Sequence, residues 1–305
     1  MSKIVVIGSL NMDLVIKAPY MPSAGETIVG SDFETIPGGK GANQAAACAR
    51  LGAETAMIGR VGNDAFGMTL VSSMNGFGVD TSGLIVDEYD KTGIAMIMVA
   101  SGDNIIIISE GSNANVSIAD IENASPLIEA AELILLQFEI PMGTIEYIIG
   151  KYKATKKIFL NPAPFKPIKD EFLDGLYSLV PNENEAEKLC GFPVDTPDGV
   201  FKALDMLREK GVKHPIITLG AKGAAYFDGY KNKIAEAYKV DVVDTTAAGD
   251  TFMGGLAAAR IEGRNIDESV AFAQACAALS TCKYGAQTSI PSREEVDEII
   301  TANGE

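Results

Sequence analysis

The stretch DTTAAGDTFMGGLAAARI, residues 244–261, places three small residues and a carboxylate where a helix begins. A run rich in β-branched residues comes before it, and the small residues are Ala247, Ala248 and Gly249. Small residues ahead of a helix let a ligand approach the backbone closely, where free N–H groups and the helix dipole attract an anion. The carboxylate, Asp250, is therefore either a helix cap or a group that stands over a bound ligand.

Phosphoryl transfer gives the second interpretation a chemical reason. We predict a helix over residues 251–262, so that the amides of residues 247–250 point outward at its N-terminus. A carboxylate beside such an anion site is repulsive unless it accepts a proton from a nucleophile. An oxyanion cradle next to a carboxylate base is the arrangement that phosphoryl transfer to a hydroxyl requires.

The composition excludes several classes of function. The chain has 305 residues, 47% of them apolar, which is enough for a large core, and its net charge of −16 argues against a nucleic-acid partner. No apolar run is long enough to span a membrane. The four cysteines form no C-x-x-C pair, so we expect core thiols of a reducing compartment and a cytoplasmic protein. The one histidine, His214, is expected to be a loop residue, which leaves no Ser-His-Asp triad and no histidine-rich metal site.

Strand and helix patterns alternate along most of the chain, which predicts an α/β fold with a mostly parallel central sheet and helices on both faces. Two segments, about 11–37 and 91–110, show instead the alternation typical of antiparallel strands, and the second predicts a hairpin with the turn SGDN at 101–104. We expect them to form a small antiparallel lid over the strand ends, where ligands bind in such folds. The whole chain is expected to be one domain that closes with two long helices, 251–262 and 267–284.

Two polar clusters precede the first long helix. Asn11 and Asp13 in GSLNMDL lie two apart, so an extended chain directs both side chains to one face, where they suit adjacent hydroxyl groups. An Asx turn with an edge-strand charge is the alternative. In PGGKGANQ, glycines around Lys40 let a substrate approach the main chain, and Asn43 offers a donor and an acceptor; a glycine hinge before a helix is the alternative.

Three later motifs are open in the same way. Glu139 ends the apolar strand of LLQFEIP and is either a ligand contact or a strand-end charge. Asn182 and Glu185 stand three apart at a helix start, which is also the spacing of a capping box. The glycine turn of TLGAKGA, residues 218–224, is either a tight connection or a surface that lies against a nucleotide.

The signatures GGKGANQAAACARLGA and DTTAAGDTFMGGL together resemble those of the PfkB-type carbohydrate kinases, the ribokinase family. The motifs GSLNMDL, LLQFE, LNPAP, PNENEAEKL, TLGAKG and KYGAQTSIP follow in the family's order. The likeness is strongest, through GGKGAN, GDNIIIISEGSNA and GAQ-x-S-x-P, to members that act on D-ribose. It implies a ribokinase-like fold and ATP-dependent phosphorylation of D-ribose at O5 to D-ribose 5-phosphate, with Mg²⁺ and an activating K⁺.

The resemblance also implies a role for each matching residue. Asp250 is the base on the sugar hydroxyl, and the anion hole is formed by Ala247, Ala248 and Gly249. The substrate-binding set is Asn11, Asp13, Gly39, Lys40, Asn43, Glu139 and Asp250. The ATP-binding set is Asn182, Thr218, Gly220, Gly223, Gly249 and Gln274. Glu185 helps to hold magnesium, partly through water. The monovalent-cation set is Asp244, Thr246, Ser280, Lys283, Gly285 and Ser289, several of them through backbone carbonyls.

Two departures from the family pattern bear on these roles. The common anion hole reads G-A-G-D, and here Ala247 replaces the first glycine; we expect its φ to be negative and its amide to serve. Gln274 stands where family members carry histidine, which leaves the contacts to the nucleotide base less defined. The alternating residues Ile94, Met96 and Met98 are expected to face a second lid, so we predict a homodimer clasped through the lids.

Alternatives remain within the family and outside it. Another sugar or nucleoside kinase would act on deoxyribose, fructose or adenosine. A non-catalytic sugar sensor would have no need of a base such as Asp250 beside an anion site. A nicotinamide dehydrogenase lacks its fingerprint, because Gly8 is followed by Ser9 and Leu10.

Overall fold

A computed structural model of the chain describes residues 3–100, 103–302 and 304, and its elements alternate between strand and helix. The strands within these residues are β1 (Ile4–Ile7), β2 (Asn11–Lys17), β3 (Ser31–Gly38), β4 (Thr55–Gly62), β5 (Asp80–Asp87), β6 (Gly93–Ala100), β7 (Asp103–Ser109), β8 (Leu133–Gln137), β9 (Lys157–Asn161), β10 (Ser178–Leu179), β11 (His214–Thr218), β12 (Ala224–Phe227) and β13 (Asn232–Ala235). The α-helices are α1 (Lys40–Arg50), α2 (Ala65–Gly76), α3 (Ile118–Asn123), α4 (Ser125–Ala130), α5 (Met142–Tyr152), α6 (Asp170–Leu173), α7 (Glu183–Cys190), α8 (Pro197–Glu209), α9 (Ala248–Ile261), α10 (Ile266–Ser280) and α11 (Arg293–Ala302).

The larger sheet has nine described strands in the order β13-β12-β11-β10-β9-β8-β1-β4-β5. The strands from β5 across to β11 run parallel, whereas β12 and β13 are antiparallel additions at one edge. Parallel strands with helices on both faces are buried on both sides, which explains why β1 is the fully apolar run IVVI. The predicted α/β fold class is confirmed.

Helices cover both faces of this sheet and form two core clusters. One cluster joins the sheet to α5 and α8 through residues such as Ile145 and Leu204. The other joins it to α1 and α9 through the alanines of α1 and Leu256. The second cluster positions the site, because α1 and α9 both begin at the carboxyl edge of the parallel strands.

A smaller sheet in the order β3-β2-β6-β7 forms the predicted lid. The pairs β2/β3 and β6/β7 are antiparallel as predicted, but the central pair β2/β6 is parallel. The reason is that β2 follows β1, and β6 follows β5, through short connections at the same edge of the larger sheet, so both enter the lid in one direction. The β6/β7 hairpin is present, although residues 101 and 102 of its predicted turn lie outside the described residues.

Helix α9 packs closely between α1 and α10 because of two adjacent glycines. A Cβ atom on Gly254 would lie 2.4 Å from the Cβ of Ala47 in α1, and one on Gly255 would lie 2.9 Å from the Sγ of Cys276 in α10. Glycine lowers the intrinsic stability of a helix. At both positions it nevertheless allows the helices to come into close contact.

Several boundaries differ from the sequence prediction. Helix α9 begins at Ala248, three residues earlier than predicted, and α10 ends at Ser280, four residues before the predicted end. The prediction missed α11, although Ser292 and Glu295 form the reciprocal cap that S-x-x-E indicates. The expectation of a loop at His214 was wrong, because it is the first residue of β11 and pairs beside Ser178.

The described residues also bear on the cysteines and on membrane crossing. All four cysteines are free thiols, and Cys48, Cys190 and Cys276 are buried, whereas Cys282 is half-buried. No helix among the described residues combines the length and the apolar character needed to cross a bilayer.

The close approach at Gly254 gives a test of helix packing. Gly254→Ala is expected to lower the free energy of unfolding by about 1–3 kcal/mol, because the added methyl group meets Ala47 and the backbone of Cys48. Gly150→Ala is the matched control: Gly150 is exposed in α5 with open space around its Cβ position, so that variant is expected to gain about 0.5–1 kcal/mol. Urea unfolding of both variants measures the difference, and equal effects would contradict the packing account.

Candidate active site

The predicted site residues meet at the carboxyl edge of the parallel strands. Ser9 and Asn11 follow β1, Glu139 follows β8, Asn182 follows β10 and Thr218 ends β11. The N-termini of α1 and α9 point to the same edge, so chain positions more than 200 residues apart become neighbours. This is the edge at which open α/β sheets bind ligands.

Asp250 lies in the first turn of α9 and is only 6% exposed. Its two carboxylate oxygens accept one hydrogen bond each from the start of α1. Asn43 Nδ2 donates to Oδ2 over 3.1 Å, and Gln44 Nε2 donates to Oδ1 over 3.0 Å. A buried carboxylate needs such donors, because burial without hydrogen bonds is unfavourable for a charge. Asp250 is therefore held by another helix and does not cap its own.

The backbone before Asp250 contradicts one expectation. Ala247 has φ = 57° and ψ = 14°, a left-handed conformation that an alanine adopts at a cost of about 1–2 kcal/mol. The expected negative φ was wrong, because the chain reverses sharply at this point to enter α9. The turn is closed by the Ala248 N–H, which donates to the Thr245 carbonyl over 3.2 Å. In this conformation the Ala248 amide is thus engaged, whereas Gly249 and Asp250 contribute first-turn amides of the kind that helices leave free.

A cavity of about 420 Å³ lies under the lid and contains part of the predicted substrate set. Its walls include Asn11, Asn113, Glu139 and the lid residue Ile108. Asn113 Nδ2 donates to Asn11 Oδ1 over 2.8 Å, which leaves the Asn11 amide nitrogen as a donor. Glu139 Oε2 accepts hydrogen bonds from the Ser9 hydroxyl and from the Lys40 amide. The cavity therefore presents both donors and acceptors, as a polyhydroxylated ligand requires.

The glycines ahead of α1 allow the backbone to pass this close to the first strand. Gly39 has φ = 92°, and a Cβ atom there would lie 2.6 Å from the Asn11 amide nitrogen. A Cβ atom on Gly41 would lie 2.6 Å from the Ser9 amide nitrogen. Any larger residue at either position would separate α1 from β1, and with it Lys40 and Asn43 from the cavity.

Asp13 adds a carboxylate beside Glu139 and Asp250. The pKa of Asp13 is raised to about 7. Burial is the largest cause, and the negative charges of Glu139 and Asp250 act in the same direction. Three carboxyl groups thus lie within electrostatic range of one another. A ligand hydroxyl that donates to them, or a nearby cation, would relieve this repulsion.

Lys40 supplies a positive charge among these carboxylates. Burial by itself would lower the pKa of Lys40, but the charges of Asp250, Glu139 and Glu185 raise it, so the ammonium form is favoured. Lys40 lines a second, larger cavity of about 1070 Å³ that also reaches Asp250. Its backbone amide bonds to Glu139 of the small cavity, so Lys40 links the two sets of lining residues.

The larger cavity contains every residue predicted to bind the nucleotide. Its lining includes Asn182, Thr218, Gly220, Gly223, Gly249 and Gln274. Gln274 donates through Nε2 to the Ala235 carbonyl over 3.2 Å, so its Oε1 is the atom left for a ligand. The structure thus brings these residues into one cleft with Asp250.

Asn182 and Glu185 form a capping box at the start of α7, which is the structural alternative considered above. Asn182 Oδ1 accepts from the Glu185 amide, and Glu185 Oε2 accepts from the Asn182 amide, both over 2.9 Å. Burial raises the pKa of Glu185, although the Asn182 amide and Lys40 act in the opposite direction. Glu185 also lines the larger cavity, so the residue fits a water-mediated metal contact as well as a cap.

No cluster of three or more His, Cys, Asp or Glu side chains within the described residues could hold a metal ion by itself. A magnesium ion at Glu185 would therefore draw most of its ligands from a bound nucleotide and water, which is the usual arrangement for this hard cation.

Of the predicted monovalent-cation residues, Ser280 ends α10, and the others lie in two segments, 244–246 and 283–289, that Asp244 ties together. Asp244 Oδ1 accepts from the amide and hydroxyl of Thr246, and its Oδ2 accepts from the Gly285 amide. Burial opposes ionisation here, but these hydrogen bonds lower the pKa of Asp244. The Lys283 ammonium pairs with Glu295, so only its carbonyl suits the predicted role. The donor set is all oxygen, which fits a hard monovalent cation.

Three site residues escaped the sequence prediction. Gln44 donates to Asp250, Asn113 lines the small cavity, and Ser9 donates to Glu139. Gln44 stands directly beside the predicted Asn43, which is the signal that could have indicated it. Asn113 and Ser9 acquire their roles only when separate loops meet, so a local pattern does not mark them.

Comparisons with known proteins find similar sequences and structures over nearly the full length of the chain. Residues 1–293 match the pfkB family of carbohydrate kinases. The chain is 41% identical to a ribokinase of Bacillus subtilis over 303 residues, which covers 99% of this chain and 100% of the relative. It is 40% identical to a ribokinase of Haemophilus influenzae over 298 residues, 97% of each chain. The solved structure of Arabidopsis thaliana ribokinase complexed with ribose and ATP superposes with a TM-score of 0.90 at 35% identity, and 98% of each chain is covered.

The raised pKa of Asp13 predicts pH-dependent stability. The pKa of this carboxyl in the unfolded chain is near the ordinary value of 3.8, so between that pH and about 7 the folded chain keeps a proton that the unfolded chain has lost. The parent's unfolding free energy therefore contains a penalty that grows as pH rises through this window and is complete above it. Asp13→Asn removes the penalty and is therefore expected to raise the free energy of unfolding by on the order of 2 kcal/mol near pH ~8, and with it Tm, but by a clearly smaller amount near pH ~4.5.

Melting curves at the two pH values, followed by circular dichroism, measure this difference. Asp195→Asn at an exposed position is the control and is expected to behave as the parent does at both pH values. The account of Asp13 would be wrong if its variant melted with the parent at the higher pH.

Proposed function

Because the chain belongs to the pfkB family of carbohydrate kinases, we propose that it is an ATP-dependent ribokinase that makes D-ribose 5-phosphate from D-ribose. The resemblance found in the sequence is thereby confirmed at the level of the family. The observation that carries the proposal is the position of Asp250, a buried carboxylate that lines the larger cleft, is held by Asn43 of α1 and lies within electrostatic range of Asp13. The similarity of the chain to ribokinases supports the choice of ribose as the acceptor.

Asp250 is the general base in this proposal. The sugar O5 hydroxyl gives its proton to the Asp250 carboxylate while O5 forms a bond to the γ-phosphorus of ATP and the bond from that phosphorus to the ADP oxygen breaks. Asn43 supports a hydroxyl at this point, because its Oδ1 is buried without a hydrogen-bond partner among the described residues. A buried acceptor of this kind is unfavourable unless a ligand donates to it.

The first-turn amides of α9 would hold the transferring phosphoryl group. Gly249 and Asp250 offer N–H groups at the positive end of the helix dipole, and Lys40, which lines the same cleft, adds a full positive charge. Mg²⁺, when bound near Glu185, supplies neutralisation of the ATP phosphate charge. The protein's net charge of −16 gives ATP no general attraction, so binding depends on these local donors.

Sugar recognition falls to the small cavity. Asn113 fixes Asn11 as a donor, whereas Glu139 and Asp13 act as acceptors for adjacent hydroxyls. Asp13, Leu14 and their neighbours pair directly with β6, so closing the lid would change the same cavity. Recognition and lid position are therefore coupled in this proposal.

A monovalent cation would act on the anion hole through the backbone. The cation loop and the anion hole are continuous, since Asp244 and Thr246 lie immediately before Ala247. The closed Thr245–Ala248 turn is the part that would have to change for the Ala248 amide to reach a phosphate. We propose that potassium favours this change and raises kcat for that reason.

The rival functions differ in what they demand of the same site. A deoxyribose, fructose or adenosine kinase would keep Asp250 and the amides and change only the acceptor. A sugar sensor would bind ribose without turnover. Cytoplasmic location also stays a prediction, based on cysteine usage.

The acceptor and the base are tested together by ADP release. D-Ribose, 2-deoxyribose, fructose, adenosine and water alone are compared, each with and without potassium. Ribose is expected to give the highest kcat/KM, with stimulation by potassium, and Asp250→Asn is expected to lower kcat by about 10²- to 10⁴-fold. A higher kcat/KM for another acceptor would show that ribose is not the preferred substrate. Ribose binding without turnover of any acceptor would favour the sugar sensor.

We further propose that two copies associate through the outer face of the lid. Cross-strand pairing places Met96 opposite Ile107 and Met98 opposite Ile105. The opposite face carries Ile108, which lines the cavity. Met96 is 54% and Ile107 64% exposed, so the outer face presents apolar side chains of the kind that mark interfaces.

Light scattering tests the association. The parent is expected to be a dimer, and Met96→Glu is expected to shift it to monomer, because the new charge would be buried against apolar side chains. Met68→Glu is the control, since Met68 is 69% exposed on α2 and outside the lid. A monomeric parent, or a dimer that survives Met96→Glu unchanged, would rule out this interface.

A further inference from the structure

A chain of two buried glutamines leads from the middle of the sheet to Asp250. Gln44 and Gln137 are both fully buried. Gln137 Nε2 donates to Gln44 Oε1 over 2.7 Å, and Gln44 Nε2 donates to Asp250 Oδ1 over 3.0 Å. Gln44 Nε2 also lies 3.4 Å from Asn161 Oδ1 at the end of β9.

From this geometry, and on the proposed role of Asp250 as base, we propose that Gln44 is a positioning residue for the reaction and that Gln137 acts through it. Gln44 lies behind Asp250 and is not part of the lining described for either cavity. Its effect therefore passes through the groups that it holds, Asp250 and Asn161, and not through its own contact with sugar or nucleotide. Asn43 differs, because it is 6% exposed, binds the other oxygen and has an unpaired acceptor of its own.

The two bonds to Asp250 are not equivalent once a sugar binds. Asn43 stands at the predicted substrate position, so a sugar hydroxyl competes for its side chain. Gln44 is fully buried and keeps its partner. The bond from Gln44 then becomes the one that prevents rotation of the carboxylate about its Cα–Cβ bond and keeps the second oxygen directed at the hydroxyl.

Gln137 determines which end of the Gln44 amide faces Asp250. Because Gln137 donates to Gln44 Oε1, the Gln44 nitrogen is left for the carboxylate. The reversed amide would set an oxygen against Asp250, which is repulsive. The first strand leaves space for this arrangement, since a Cβ atom on Gly8 would lie 2.0 Å from Gln137 Oε1.

Methionine variants test the chain with little change in side-chain volume. Gln44→Met removes the donor to Asp250 and is expected to lower kcat by about 10- to 100-fold, the size of effect that follows from a misplaced catalytic group. KM for ribose and for ATP is expected to change little, because Gln44 contacts neither. Ser269→Ala is the control for the loss of a buried hydrogen bond: it lies in the first turn of α10, at the far end of that helix from the cleft residues 277 and 278.

A double-mutant cycle tests whether Gln137 acts through Gln44. Gln137→Met is expected to lower kcat in the parent background and to have little further effect once Gln44 is methionine. Independent, multiplicative effects would overturn the proposed chain. A Gln44→Met enzyme with the parent's kcat, or one whose whole loss lies in KM, would overturn the role of Gln44.

A crystal structure of Gln44→Met separates this proposal from the proposed function. Kinetics are measured with whichever acceptor the parent phosphorylates, so a different acceptor does not affect the test. If the parent turns over no acceptor, the structural readout remains. The Asp250 carboxylate is expected to rotate away from its parent position, and an unchanged carboxylate would overturn the proposal whatever the activity.

Discussion

The close approach of α1 and α9 is the constraint on which the rest of the site depends. Gly254 lets the two helices meet near Ala47 without a side chain between them. Their first turns then lie side by side, so Asn43 and Gln44 of one helix can donate to Asp250 of the other. A larger residue at the crossing would push the two helices apart, and even a small separation would weaken these hydrogen bonds. Packing inside the core thus sets the position of a reacting group at the surface of the cleft.

Charge gives the site a second constraint. The charges of Glu139 and Asp250 act both on the Asp13 carboxyl and on the Lys40 ammonium, and Glu185 adds a third negative charge near Lys40, in a chain of net charge −16. Such a site favours a ligand that donates hydroxyl hydrogens on one side. On the other side, in the proposed function, backbone amides, one lysine and a metal ion would hold an anionic nucleotide. The small polar cavity thus corresponds to the side that suits hydroxyl groups, and the larger cleft to the side that suits an anion.

The sequence allowed the fold class and the lid segments to be predicted, and most of the residues that meet in the candidate site, because each rests on a local pattern. Asn182 and Glu185 show the limit of such patterns, since one spacing serves both a cap and a site. The left-handed φ of Ala247 could not be read from an alanine, whose intrinsic preference is the opposite. The parallel pair in the lid and the role of Asn113 arise only when separate loops meet in three dimensions.

The central claim is that this arrangement directs Asp250 at the sugar hydroxyl that is phosphorylated. A crystal structure with D-ribose and a non-hydrolysable ATP analogue tests it most directly. The account predicts the sugar O5 within about 2.6–3.2 Å of an Asp250 oxygen and in line with the γ-phosphorus. A sugar held with a different hydroxyl at Asp250, or with O5 beside another residue, would contradict it.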